Sequence, residues 1–269
     1  MSLQVWSLAS GSSGNAFLIR GGRTTVLLDA GFPMRTIRDK IASVGQSPLD
    51  VQAVLLTHEH SDHCSGAGPT CRALKVPLVA NSATLEAASR IVGSTPSTEL
   101  PTGSEMEIGD LQVRSFPVSH DAADPVGYVF SCGGARACYV TDTGTLTPVI
   151  TSNMMGAQLV IVESNHDVLR LSQSGYPAEL KRRILGNRGH LSNVVTAREI
   201  ARLSLESAPC VVWLAHLSEE NNSERLAMTT SRNALNAAQP ANVRLALAKR
   251  NVVSVHWNSA DNWWQGSLF

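Results

Sequence analysis

The sequence predicts an α/β fold of four layers, αββα, in which two mixed β-sheets pack face to face and helices cover the outer faces. Three observations carry this expectation. Strand and helix patterns alternate in the first third of the chain and again in its second half. The stretch between them is β-rich and holds two hairpin patterns. The strand ending LLDAG (residues 27–31) is echoed by one ending YVTDTG (139–144), as a duplicated β-rich half would show.

Each element has its own signal. Val5 to Ala9, Asn15 to Arg20 and Thr24 to Asp29 read as short strands split by Gly-rich turns. Pro33 to Val44 reads as a helix, with Met34, Ile37 and Ile41 at helical spacing and Gly45 as a stop. Gln52 to Thr57 is a buried strand running straight into a histidine-rich loop, and the Ala-rich segment Ser82 to Val92 is helical. Gly109-Asp110 and Gly133-Gly134 mark the turns of the two hairpins. Leu159 to Glu163 and Cys210 to Ala215 are strands, while Pro177 to Leu185, Asn193 to Glu206 and Ser223 to Ala238 are helices. Residues 1–256 form one domain on this reading, and the aromatic, aperiodic residues 257–269 form a tail that is disordered or docks a partner.

Composition narrows the function classes. The chain has 269 residues, 43% of them hydrophobic and 16% charged, which suffices for a sizeable core. Zero net charge gives no bulk support for a nucleic-acid or membrane partner, although a local patch can supply one. The five cysteines are odd in number and lack a C-x-x-C pair, which predicts reduced thiols in a cytoplasmic protein. The first residues have no basic segment before a long apolar run, so no signal peptide is expected. No apolar run reaches the roughly 18 residues of a membrane-spanning helix.

The chemistry is concentrated in THEHSDH, residues 57–63. Alternate residues of an extended chain share a face, so His58 and His60 can chelate one metal while Glu59 points away. Asp62 and His63 follow where the chain turns toward a helix, and can serve a second metal. Imidazole nitrogen and carboxylate oxygen suit Zn²⁺, Mn²⁺ or Fe²⁺ rather than Ca²⁺. A single H-x-H is more often a polar surface loop; H-x-H-x-D-H after an apolar strand is far more specific. His120, Asp142 and His216 each follow an apolar strand, where loops gather into a site.

These words in this order resemble the metallo-β-lactamase fold of binuclear metal hydrolases. SLASGSSGN (7–15), LLDAG, VSHDA, TDTG, ESNHD (163–167), YPAELKRRI, GHLSN (189–193) and AHLSEENN (215–222) look like its YycJ/WalJ-like branch of 5′-to-3′ DNA exonucleases. The resemblance implies that His58, His60 and His120 hold one divalent metal, that Asp62, His63 and His216 hold the other, and that Asp142 bridges them. It implies a DNA substrate with a 5′-phosphorylated end, attacked by a hydroxide held between two ions (Zn²⁺ or Mn²⁺, or Fe²⁺) and oriented by Asp62. It also implies that Glu163 orients a histidine acid for the leaving oxygen. That acid is His190 or His166, with His190 favoured because Ser192 and Asn193 beside it suit phosphate binding at a helix N-terminus. GHLSN is equally readable as a helix cap.

Two further motifs face a plainer alternative. SGSSGN offers backbone N–H groups and the side chains of Ser10, Ser12, Ser13 and Asn15 to a phosphate, or is simply a turn. Lys181, Arg182, Arg183 and Arg188 form a dense basic cluster, suited to a DNA backbone or merely solvated. The same metal centre would also serve a small-molecule hydrolase acting on a cyclic phosphodiester or a thioester. Oligomeric state is not legible.

Overall fold

Helices are packed outside two stacked sheets in a computed structural model that describes residues 1–206, 210–238 and 243–261. The first half contributes β1 (Leu3–Ala9), β2 (Ala16–Gly21), β3 (Thr24–Leu28), α1 (Met34–Ser43), β4 (Val51–Leu55), α2 (Ser61–Cys64), α3 (Ala67–Leu74), β5 (Leu78–Ala80), α4 (Ser82–Val92) and β6 (Ser97–Glu99). The hairpins follow as β7 (Glu105–Ile108), β8 (Leu111–Pro117), β9 (Val126–Cys132) and β10 (Ala135–Val140). Then come α5 (Pro148–Met154), β11 (Leu159–Glu163), α6 (Val168–Gln173), α7 (Ala178–Leu185), α8 (Asn193–Glu206) and β12 (Cys210–Ala215). The chain closes with α9 (Glu224–Ala238), β13 (Val243–Leu247) and β14 (His256–Asn258).

One sheet has the order β14-β1-β2-β3-β4-β5-β6 and the other β13-β12-β11-β10-β9-β8-β7. Both are mixed, and they repeat one plan. Antiparallel pairing runs through β1, β2 and β3 and turns parallel from β3 to β4. Likewise β8, β9 and β10 are antiparallel and β10 to β11 is parallel. The strands at the two switches, β3 and β10, are those that end in the echoed Asp-x-Gly words.

Period-two side-chain alternation explains the layers. Leu159 and Ile161 of β11 face the core between the sheets, with Val5, Phe17, Tyr128, Tyr139 and Trp213. Val160 and Val162 face the other way, onto Ile150 of α5, Ile200 of α8 and Ala227 of α9. On the first sheet Leu18, Leu27 and Val54 meet Ile37 and Ile41 of α1 and Ala67 and Cys71 of α3. The predicted αββα sandwich is therefore present. Cys64, Cys71, Cys132 and Cys138 are buried and unpaired with one another.

One boundary needs correction. Trp257 and Asn258, assigned from the sequence to an aperiodic tail, pair with Val5 and Gln4 of β1, and Trp257 is buried in the inter-sheet core. A three-residue edge strand is too short to show a period, which hid it. Residues 262–269 of that tail lie outside the described residues.

Candidate metal centre

The strands β3, β4, β8, β10, β11 and β12 end on one edge, and the loops beyond them carry the histidines and carboxylates. After β4 the chain stays extended through His60, then winds into α2, with the His63 and Cys64 N–H groups bonded to the His60 carbonyl at 2.9 and 3.0 Å. That turn brings Asp62 and His63 back toward His58. Glu59 points away, as expected, and its carboxylate accepts the Ala123 N–H at 2.8 Å.

The predicted ligands converge. Donor atoms of His58, His60 and His120 lie within 4.8 Å of one another, and so do those of Asp62, His63 and His216. Asp142 joins His58 and His63 in a third such group, between the other two. His58 Nε2, His216 Nε2 and one Asp142 oxygen are buried with no hydrogen-bond partner among the described residues. Orphaned polar atoms at one point are costly unless something else satisfies them. The outward nitrogens explain what that is. Nδ1 of His63 lies 2.8 Å from Asp29, that of His216 2.9 Å from Glu163, that of His120 3.2 Å from the Gly189 carbonyl, and that of His58 3.0 Å from the Thr57 hydroxyl. Tying Nδ1 to an outer acceptor leaves Nε2 free for a metal, the usual pattern behind metal-bound histidines. The donor set fits divalent ions.

Electrostatics agree. Burial alone would raise the Asp142 pKa, but His216, His63 and His58 hold it well below the usual carboxylate range. Burial, reinforced by His63, keeps His58 well below the ordinary histidine value, so it is neutral. Burial would also lower His63 and His216. The carboxylates Asp29, Asp62 and Asp142 instead hold His63 well above its ordinary value, and Asp142, Asp62 and Glu163 lift His216 to about 10. Without an ion, those two rings carry protons.

Asp29 was missed from the sequence. Its carboxylate accepts the Thr57 N–H at 2.9 Å and the Thr57 hydroxyl at 3.0 Å besides meeting His63. The signal lay in the LLDAG/TDTG echo, because Asp29 and Asp142 share a left-handed backbone, both at φ 56°. The glycine two residues on serves close approach in each copy. A Cβ on Gly31 would overlap the Asp62 carbonyl, and one on Gly144 would overlap the backbone of Gly186 and Asn187.

Glu163, at the end of β11, receives four donors. One oxygen lies 2.8 Å from His190 Nδ1 and 2.9 Å from His216 Nδ1; the other accepts N–H bonds from Thr143 and Leu191 at 3.2 and 3.0 Å. Burial would raise its pKa, yet the two rings bring it down to about 2. So Glu163 touches two histidines where one was expected. His190 is partly exposed at the mouth, 3.6 Å from Asp142. Burial would lower its pKa, but Glu163 and Asp142 raise it above the ordinary value. His166 is 1% exposed and pushed down to about 4 by burial, so it is neutral near pH 7 and out of reach of the mouth.

The expected phosphate-binding residues divide. Ser12 and Ser13 are exposed. Ser10 and Asn15 are fully buried and work inward: Ser10 Oγ accepts the His216 N–H at 2.9 Å, and Asn15 Nδ2 lies 3.0 Å from His63 Nε2. Ser192 caps α8 through a 3.4 Å bond from the Val195 N–H. Asn193 is also buried and corrects its expected role. Its amide exchanges 2.9 Å bonds with Asn222 and accepts the Ser164 hydroxyl at 2.6 Å, leaving nothing for a substrate. The basic cluster lies on α7 and the loop after it, fastened beside His120. Arg183 pairs with Asp121 at 2.5 Å, Arg188 donates to the His120 carbonyl at 2.9 Å, and Ser119 donates to the Asn187 carbonyl at 2.7 Å.

Comparison with known proteins agrees with this geometry. The pattern of the metallo-beta-lactamase superfamily matches residues 9–170. The chain is 36% identical over 230 residues to exodeoxyribonuclease YycJ of Bacillus anthracis, covering 84% of this chain and 87% of that one. It is 37% identical over 233 residues to exodeoxyribonuclease WalJ of Streptococcus pneumoniae serotype 2, covering 85% and 86%. Among solved structures, the metallo-beta-lactamase fold protein YhfI from Bacillus subtilis superposes with a TM-score of 0.71 at 15% identity, over 96% of this chain and 100% of that one. The chain belongs to the metallo-β-lactamase superfamily and, within it, to the family of the YycJ and WalJ exodeoxyribonucleases.

Proposed function

We propose that this protein is a two-metal phosphodiester hydrolase that degrades DNA from a 5′-phosphorylated end toward the 3′ end. The observation that carries the reading is the Glu163–His190 pair set against the ligand cluster, with His190 at the mouth. A phosphodiester expels an alkoxide, which needs a proton; a histidine whose pKa Glu163 and Asp142 raise from its ordinary value can give it. The relatives named exodeoxyribonucleases support DNA as the substrate.

Site one is His58, His60 and His120, site two is Asp62, His63 and His216, and Asp142 is shared. Two divalent ions there, Zn²⁺, Mn²⁺ or Fe²⁺, would supply a water of lowered pKa and neutralise charge on the phosphate oxygens. Asp62 is the least buried carboxylate of the cluster and orients the attacking water. His190 gives its Nε2 proton to the leaving 3′ oxygen while Glu163 holds the ring. Arg188, fastened to the His120 carbonyl and without an ion-pair partner among the described residues, places a cation beside the His120 side of the mouth, where a strand can lie. Among the described residues no helix is long and apolar enough to cross a membrane.

The test is digestion of end-labelled, 5′-phosphorylated duplex DNA with Mn²⁺, beside a His60→Ala/Asp62→Ala double variant. Stepwise release of nucleotides from the 5′ end by the wild type alone is expected. Intact DNA beside hydrolysis of a chromogenic phosphodiester would leave the metal chemistry standing and assign it to a small substrate.

A further inference from the structure

The turn Gly11 to Gly14 is fastened to the metal centre at both ends, yet its tip is left open. At one end are the bonds of Ser10 to His216, and at the other the Asn15 N–H donates to the Asp62 carbonyl at 2.8 Å. Between them, the N–H groups of Ser12 and Ser13 and the Ser12 hydroxyl have no partner among the described residues. Two side chains are built around this turn. A Cβ on Gly11 would come 2.6 Å from Cγ of Arg250, and one on Gly14 would come 2.6 Å from the Phe32 ring. Gly11 thus lets the Arg250 stem lie across the turn, and Gly14 makes room for the Phe32 ring.

The Arg250 loop is itself fixed. Ser13 Oγ donates to Asn251 Oδ1 at 2.7 Å, the Ser10 N–H donates to the Lys249 carbonyl at 2.9 Å, and Lys40 Nζ bridges the Leu8 and Asn251 carbonyls at 3.2 and 2.7 Å. Lys249 is neutralised by Glu224 at 3.5 Å. Arg250 has no ion-pair or hydrogen-bond partner among the described residues, so its guanidinium is the uncompensated charge of this loop. Beside it opens a cavity of about 210 Å³ between Leu217-Ser218-Glu219 and Lys249-Arg250-Asn251.

We propose that Arg250, with the open Ser12-Ser13 turn, is a subsite for an internal backbone phosphate of the substrate strand, at the Asp62–His63–His216 end of the centre. It rests on the nuclease reading above. One unpaired guanidinium matches the single charge of a diester, and Glu219 in the same lining disfavours a more highly charged terminal phosphate. Consecutive free N–H groups at a turn suit phosphate oxygens. With α7 beside His120 at the other end, the strand would cross the metal pair between two cationic supports.

The experiment compares Arg250→Gln and Arg250→Lys with the wild-type holoenzyme on 5′-phosphorylated single-stranded DNA over a salt series, and on bis(p-nitrophenyl) phosphate, which has no strand beyond the cleaved group. For Arg250→Gln, KM for DNA should rise about tenfold. The slope of log KM against log salt should fall by about 0.7, the value for one lost contact to a single strand. Arg250→Lys should recover most of both, and the diester should show no comparable loss. DNA kinetics equal to wild type at every salt concentration would overturn the proposal. So would equal losses on DNA and diester, which would make Arg250 a support of the metal loops. Wild-type hydrolysis of the diester with no action on DNA would remove the nuclease reading itself, and this subsite with it.

Discussion

Replacing Asp29 by Asn tests whether the residue behind His63 sets metal affinity. The substitution is nearly isosteric, and Asn tolerates the left-handed backbone at φ 56°, so strain is not introduced. The amide oxygen can still accept from Thr57, whose N–H and hydroxyl lie 2.9 and 3.1 Å from Oδ1 of the carboxylate. The amide NH₂ must then face His63 Nδ1, which sits 2.8 Å from the other oxygen. Two donors cannot share that contact. His63 relieves it by carrying its proton on Nε2, the atom it needs for the metal. Loss of such an outer partner costs about 10–100-fold in metal affinity, roughly 1.4–2.7 kcal/mol. Calorimetric titration of the metal-free protein with Mn²⁺ should show one weakened site and one near wild type. Activity should recover at excess metal, because Asp29 touches no substrate. An isotherm superimposable on wild type would refute the reasoning.

Other outcomes follow from the same geometry. His63 is held well above its ordinary pKa and His216 at about 10 in the metal-free protein, so loading should release about two protons at neutral pH and tighten as pH rises; titration in buffers of different ionisation heat measures this. His190→Asn should lower kcat on DNA by about 10²–10⁴-fold but scarcely affect a p-nitrophenyl diester, whose leaving group needs no proton; equal losses would contradict the acid role. Trp257→Ala should cost about 3–5 kcal/mol in a urea titration, and an unmoved midpoint would return Trp257 to the tail. Removing metal with a chelator should lower the melting temperature, since ions that bind only the folded state stabilise it.

Much of the site was legible because metal ligands are chemically rare and stand in one loop. His58, His60, Asp62 and His63 needed only the strand before them, and Asp142 was marked by its place at the end of an apolar strand. Helix α4 showed itself through its alanine content, and α8 through the cap at Ser192 or Asn193. What stayed hidden is what depends on approach in three dimensions. Asp29 lies beside His63 only because β3 and β4 are parallel neighbours. Ser10, Asn15 and Asn193 have the residue types of phosphate binders, but burial turns them inward. Short elements such as β6, whose three residues are all exposed, and α3, which contains Gly68 and Pro69, offered no period to read.

The proposed ligands come from separate stages of the synthesis order: the loop after β4 and the short helix α2 supply four, and the loops after β8, β10 and β12 supply His120, Asp142 and His216. A nascent chain therefore exposes the THEHSDH loop long before its counterparts leave the ribosome. An ion held by Asp62, His63 and His216 cannot be fully enclosed until β12 has joined the second sheet, so capture of that ion is expected as a late step of maturation. Ribosome-stalled chains ending before His216 should lose metal to a mild chelator far faster than chains that include β13. Equal retention would mean that the early loop binds its ion without help.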